Sequence, residues 1–226
     1  RATAIAMSAA GAKVVIGDRC VNHWATTIAT IQATGAEVLF QSTDITVARA
    51  VKALVGQAVT TFGKLDIAFN NACINASQVP LAEQEEYEVV CVIDTNLNGL
   101  WLCLKYEIEQ MLKSGGGAIV NNSSIFGLTA CPNNAIYVGT KHAVTGITKA
   151  AALDYAQRGI RINAVAASLM ASEYEWITDT TQTLTIPMGR TVTPQEVANA
   201  VVWLCSDQAS FITGHILPID GGFTAQ

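Results

Sequence analysis

The chain has 226 residues, 50% of them hydrophobic, only 14% charged, and a net charge of -5. That composition supports one domain, 1–226, with a large buried core. It excludes a nucleic-acid binder, since there is no basic run and Lys and Arg together number 13. No apolar run approaches the roughly 18 residues of a membrane span, and no signal peptide is visible, so a cytoplasmic protein is expected. Low charge with high apolar content also fits surface buried in an oligomer.

Short β-rich runs alternate with helical patterns along the chain. Strands are predicted at 13–17 (KVVIG), 37–41 (EVLFQ), 65–70 (LDIAFN), 118–122 (AIVNN), 160–165 (IRINAV) and 215–219 (HILPI). Helices are predicted at 22–34, 46–62, 84–113, 137–157 and 194–206. The strand runs are continuously apolar, as strands covered on both faces require. This βαβ alternation predicts an α/β fold, a doubly wound parallel sheet with helices on both faces. Gly115-Gly116-Gly117 precedes a strand rather than a helix, and so reads as a turn and not a phosphate loop.

Such sheets bind ligands beyond the carboxyl ends of their strands, and polar residues stand at those points. Asp18 ends the first run, where its carboxylate can accept the ribose hydroxyls of NAD and repel a 2'-phosphate, or can simply serve a turn or helix cap. Arg19 follows it and could accept a phosphate. Asp44 reads either as the N-cap of the next helix or as a contact to adenine. Asn70-Asn71-Ala72 leaves a strand end with small polar residues, as an ordinary turn also would. Asn96, inside a long helical pattern, signals a local distortion or bound water, or else is a surface asparagine.

The strongest feature is Tyr137-Val138-Gly139-Thr140-Lys141, with Ser124 thirteen residues upstream. Positions i and i+4 share one helix face. A cation beside a phenol favours the phenolate; lowering a tyrosine pKa of about 10 by about three units takes roughly 4 kcal/mol, a demand that a desolvated lysine and a cationic cofactor together can meet. The result would suit proton exchange with an alcohol or ketone. The same spacing also occurs as a solvated pair on many helices. His23, His142 and His215 share no metal-ligand spacing, and Cys20, Cys73, Cys91, Cys103, Cys131 and Cys205 match no metal or redox motif. No metal is expected, and the thiols read as reduced and mostly buried.

Ser124, Tyr137-x-x-x-Lys141, Asn70-Asn71-Ala72 and Asn96 together resemble the short-chain dehydrogenase/reductase family. So does the tail Pro187-Met188-Gly189-Arg190, Pro194-Gln195-Glu196-Val197-Ala198, Leu204-Cys205-Ser206-Asp207, Phe211-Ile212-Thr213-Gly214 and Asp220-Gly221-Gly222. The pattern is closest to glucose 1-dehydrogenase-like and 3-oxoacyl-reductase-like members. The resemblance implies a Rossmann fold with a seven-stranded sheet. It implies hydride transfer between a nicotinamide cofactor, NAD ahead of NADP, and a secondary alcohol, ketone or sugar. Tyr137 would be the acid/base, Lys141 would hold the nicotinamide ribose and lower the tyrosine pKa, Ser124 would polarise the substrate oxygen, and Asn96 would support a water-linked relay. Asp18, Asp44, Ile45, Asn70, Ala72, Tyr137 and Lys141 would contact the cofactor. Ile125, Phe126, Ala130 and Cys131 would line the substrate pocket beneath a lid at 169–186. A homotetramer would form through 84–113, 137–157 and the last strand.

The sequence departs from the family at three points. The first strand and its Gly-x-x-x-Gly-x-Gly loop are absent, and Arg1-Ala2-Thr3-Ala4-Ile5-Ala6 resembles the helix that follows that loop. The expectation is a longer protein, and badly impaired cofactor binding without the loop. Cys73 replaces the glycine of Asn-Asn-Ala-Gly, where a side chain would hinder close approach. Ala167-Ser168 replaces Pro-Gly. These departures motivate an alternative, a catalytically impaired member acting as an oligomeric scaffold.

Overall fold

The structure, a computed structural model, describes residues 1–170 and 186–226. The lid expected at 169–186 falls almost entirely outside the described residues. In chain order the elements are α1 (Ala2–Ala9), β1 (Val14–Asp18), α2 (Ala25–Ala33), β2 (Val38–Ser42), α3 (Ala48–Phe62), β3 (Ile67–Asn70), α4 (Glu86–Ile93), α5 (Leu100–Ser114), β4 (Gly117–Asn122), α6 (Ala135–Tyr155), β5 (Ile160–Ala167), α7 (Pro194–Cys205) and β6 (Ile216–Ile219). The fold is the expected Rossmann-like α/β arrangement, with every strand pairing parallel.

β4 shows why the strand runs are apolar without alternation. Ala118 and Val120 pack against Val197, Val201 and Leu204 of α7, while Ile119, between them, packs against Leu104 and Ile108 of α5 and Val144 of α6. All three β4 residues are almost fully buried. Each such Val or Ile contributes about 1.5–3 kcal/mol relative to an exposed side chain. Two faces are covered, so both parities of the strand must be apolar.

The strands form two sheets, β1-β2 and β3-β4-β5-β6. The edges of β1 and β3 are not paired with each other. Both line a cavity of about 330 Å³, with Val15, Ile16 and Gly17 from one side and Ile67, Ala68 and Phe69 from the other. The resemblance places the family's additional strand between these two sheets.

Helix ends follow local chemistry. α7 opens on a capping box, with Thr193 and Glu196 satisfying each other's backbone N–H groups and Pro194 in the first turn. α5 stops at Gly115, whose φ of 92° is open to glycine at little cost. The single helix expected over 84–113 is instead α4 and α5 joined by a π-helical segment, Asp94–Gly99. Asp, Thr, Asn and Gly are poor helix formers, which leaves this stretch free to widen. β5 runs two residues beyond its expected end, through Ala167, which pairs with Ile219, and the Ser168 N–H donates to the Ile219 carbonyl at 3.2 Å. Among the described residues, no helix is long and apolar enough to cross a membrane.

Candidate active site

Ser124, Tyr137 and Lys141 meet beyond the end of β4. Ser124 is extended, 7% exposed, and its hydroxyl accepts from the Phe126 N–H at 3.2 Å. Tyr137 sits in the first turn of α6, with the Ser124 hydroxyl beside its phenol and favouring the phenolate. Lys141, one turn on, is 1% exposed. Its Nζ donates to the Asn122 carbonyl at 2.7 Å and lies 5.5 Å from the Tyr137 ring centre. Burying an ammonium is costly unless it is hydrogen-bonded, and the strand end supplies that acceptor. His142 turns away and bonds the Val138 carbonyl at 3.0 Å on the exposed side.

Asn96 lies in the π-helical segment and is buried, so the distortion reading holds over the surface one. Its Oδ1 accepts from the Ile74 N–H at 2.8 Å, and its Nδ2 donates to the Ile74 carbonyl at 2.9 Å and to Thr140 Oγ1 at 3.2 Å. It thereby clamps the loop after β3 to the second turn of α6. Gly99 closes this segment because a Cβ there would stand 2.7 Å from the Ile45 side chain.

The residues expected at the cofactor gather on the cavity between the sheets. Asp18, Ile45, Asn70 and Ala72 all line it. Asp18 ends β1, with Oδ1 accepting from the Cys20 N–H at 2.8 Å. Asp44 stands apart from that cavity lining and does not cap α3, whose N-cap is Val47. Its Oδ1 accepts from the Thr46 N–H and hydroxyl at 2.9 and 2.7 Å, capping the turn before the helix, because the helix starts later than the side chain can reach. Those bonds hold its carboxyl below the usual range.

Three expectations need correction. The thiols are all free, but Cys20, Cys73 and Cys91 are exposed and only Cys103 and Cys205 are buried, because the first three lie on loops and an outward helix face. Ile125 and Phe126 are packed into the protein at 1% and 7% exposure, so the open residues after Ser124 are Leu128, Ala130 and, in part, Cys131. Neither Cys73 nor Ser168 takes the left-handed backbone that favours glycine. Cysteine and serine are therefore accommodated at these turns without backbone strain.

Burial pushes the Tyr137 phenol up, the neighbouring Cys73 adds to this, and the Ser124 hydrogen bond opposes it. Lys141 alone does not bring the phenol down. Glu107 on α5 is buried and pushed up to about 7 by that burial, against the pull of a hydrogen bond from Asn70. Its folded value exceeds its unfolded one, so folding favours the protonated form. That stabilisation is complete below about pH 4.5 and is lost as pH rises towards about 7, a swing of about 3 kcal/mol.

The family described as enoyl-(acyl carrier protein) reductase matches residues 1–224. A 2,5-dichloro-2,5-cyclohexadiene-1,4-diol dehydrogenase from Sphingobium indicum is 42% identical over 233 residues, covering 100% of this chain and 92% of that protein. This chain belongs to the short-chain dehydrogenase/reductase family. A cyclohexanol dehydrogenase from Acinetobacter is 39% identical, with 100% and 90% covered. The solved structure of ElxO with NADP bound superposes with a TM-score of 0.92 at 34% identity, covering 100% of this chain and 94% of that one. As a short-chain dehydrogenase/reductase, the chain is an oxidoreductase acting on CH–OH groups. Both curated relatives are named as dehydrogenases, which favours the oxidoreductase reading over the scaffold.

Two residues at this short-chain dehydrogenase/reductase site escaped the sequence reading. Asn122 was read only as the end of a strand, yet its carbonyl anchors Lys141 and its amide donates to Asn71 at 3.2 Å. Glu107 was read only as part of a helix. Its signal was register, since it falls on the stripe of Leu100, Leu104, Ile108 and Met111 that faces the core.

Proposed function

We propose that this single-domain enzyme transfers a hydride between NAD(H) and a secondary alcohol or ketone carried on a six-membered carbocycle, with Tyr137 exchanging the proton. The observation that carries this reading is the cluster of buried Ser124 and Lys141 with half-buried Tyr137 at the carboxyl ends of the parallel strands. The ring class is supported by the names of the Sphingobium and Acinetobacter relatives.

The donor set suits a nicotinamide dinucleotide. An ammonium has three N–H donors, and Lys141 has one protein acceptor among the described residues, which leaves donors for a ribose diol. Asp18 would take the adenosine ribose, supported by Asp44, Ile45, Asn70 and Ala72. This sequence contains no Gly-x-x-x-Gly-x-Gly turn for the pyrophosphate. The cofactor supplies or accepts the hydride at its nicotinamide ring. Ser124 donates a hydrogen bond to the substrate oxygen and Tyr137 gives it a proton during ketone reduction. In alcohol oxidation Tyr137 takes that proton back, and the positive charge of Lys141 favours the phenolate that does so. Asn96 would hold the water that resupplies the proton.

NAD preference rests on Asp18, since a carboxylate there disfavours a 2'-phosphate. Asp18→Ala is expected to shift the ratio of kcat/KM for NAD over NADP by about tenfold towards NADP, the loss of one hydrogen bond to a charged group. Steady-state kinetics with both cofactors and a cyclohexanol as substrate checks this, and the wild-type arm tests the activity itself.

The enzyme is proposed to be a cytoplasmic homotetramer. Tyr87, Val90 and Trp101 on α4 and α5 and Leu153 on α6 are exposed, and Phe211 before β6 stands fully in solvent. These lie on the helices and strand through which the family resemblance predicts assembly. Apolar surface of this kind marks an interaction face. Light scattering is expected to give four times the protomer mass; a monomer would overturn the assignment.

A further inference from the structure

Glu107 sits at the head of a buried line of hydrogen bonds that ends on the helix carrying Lys141. Its Oε2 accepts from Asn70 Nδ2 at 2.9 Å, and the same amide nitrogen donates to Asn121 Oδ1 at 3.1 Å. An amide nitrogen has two N–H donors, so Asn70 uses both. Asn121 Nδ2 donates to Thr148 Oγ1 at 3.0 Å, and that hydroxyl donates to the Val144 carbonyl at 2.7 Å. Asn121 and Thr148 are fully buried, and Glu107 is 8% exposed. The line crosses α5, β3, β4 and α6 without a break.

Both strand ends in this line feed the site. Asn70 leads straight into Asn71-Ala72-Cys73, the loop whose far end is clamped at Ile74 by Asn96. Asn121 precedes Asn122, which holds both Asn71 and Lys141. The loop is therefore pinned at one end by Asn96 and at the other by Glu107. Among the described residues lining the cavity that Glu107 faces, the charged or titratable ones are Cys103 one turn earlier on α5, Arg1, and Lys13 and Asp18 across the gap. α3 and β3 contribute no charged side chain to it.

We propose that Glu107 is a positioning residue for the reaction: through Asn70 and Asn121 it fixes the 70–74 loop against the helix bearing Lys141, and so sets cofactor affinity rather than the proton-transfer step. This rests on the cofactor use proposed above. Removing the carboxyl leaves a half-buried Asn70 N–H without its acceptor and frees the loop. Ionising it makes the carboxyl a stronger acceptor for Asn70 and so holds the line more firmly. Burial pushes Glu107 up to about 7, so the carboxyl passes from mostly neutral at pH 6 to mostly ionised at pH 8.

The test compares wild type with Glu107→Gln, Glu107→Leu and Thr148→Val. NADH is titrated by fluorescence at pH 6 and pH 8, and hydrogen exchange is measured at the amides of residues 71–74. Glu107→Leu is expected to raise the NADH Kd about tenfold and Thr148→Val about threefold, with kcat at saturating cofactor within about threefold of wild type. Glu107→Gln keeps an acceptor for Asn70. It should match wild type at pH 6 and lose the tightening of NADH binding that wild type shows between pH 6 and pH 8. Amides 71–74 should exchange faster in Glu107→Leu and Thr148→Val. The proposal is overturned by unchanged Kd and exchange in folded Glu107→Leu, or by a fall in kcat at unchanged Kd. If Glu107→Leu does not fold, Thr148→Val and the flattened Glu107→Gln profile decide in the same way. A wild type that binds neither NADH nor NADPH refutes the cofactor assignment, and the exchange rates then decide the positioning role alone.

Discussion

Tyr137→Phe is expected to lower turnover by about 10²- to 10⁴-fold, the usual contribution of a positioned acid or base, while cofactor affinity and melting temperature stay near those of wild type. The phenol hydroxyl is the atom lost. The ring, which lies against Lys141, remains. The direction of the pH effect follows from the environment of the hydroxyl. Burial and Cys73 hold the proton on Tyr137, against Ser124. Ketone reduction, which needs the protonated form, should be flat through neutral pH and fall only in alkali. Alcohol oxidation needs the phenolate and should rise with pH. Steady-state rates in both directions, with cofactor Kd measured separately, check the prediction. An active Tyr137→Phe protein would remove the tyrosine from the chemistry.

Lys141→Met should damage both halves of the reaction. The ammonium is almost fully enclosed and lies 5.5 Å from the Tyr137 ring centre. Methionine fills similar space without charge, leaves the Asn122 carbonyl without that donor, and removes the donors assigned to the cofactor ribose. A hydrogen bond to a charged group contributes about 1.5–3 kcal/mol, so kcat/KM should fall by about 10²-fold or more, with cofactor KM raised and kcat lowered. The phenolate also loses its favouring charge. Any residual alcohol oxidation should therefore need more alkaline conditions than in wild type. A pH–rate profile of the variant distinguishes this from a simple loss of binding, which would move KM and leave the profile in place.

Much of this arrangement was legible from local chemistry. The strand runs were readable because both faces of each parallel strand are covered, as Ile119 and its neighbours Ala118 and Val120 illustrate. The Ser124, Tyr137 and Lys141 cluster was readable because a helix face and a strand end fix their meeting, and the family resemblance then named the roles. Asn96 announced itself as a poor helix former in a helical stretch, although the π-helical form it takes could not be read from propensity. Other features depend on contacts distant in sequence. Nothing near Glu107 in the chain predicts that Asn70 will reach it, since 37 residues separate them. The net shift of Tyr137 in the protein alone could not be read for a related reason. Spacing shows that a lysine is close, but not how much burial opposes it. Asp44 was misplaced by a few residues because a turn and a helix start share the same capping chemistry.

The most direct measurement follows the hydride. The protein is incubated with a six-membered cyclic ketone and NADH deuterated at the transferable position of the nicotinamide, and the product is analysed by mass spectrometry. Hydride transfer predicts an alcohol carrying the label at the carbinol carbon, formed by wild type and almost abolished in Tyr137→Phe. An alcohol without label, or labelled alcohol formed equally by Tyr137→Phe, would contradict the proposed chemistry.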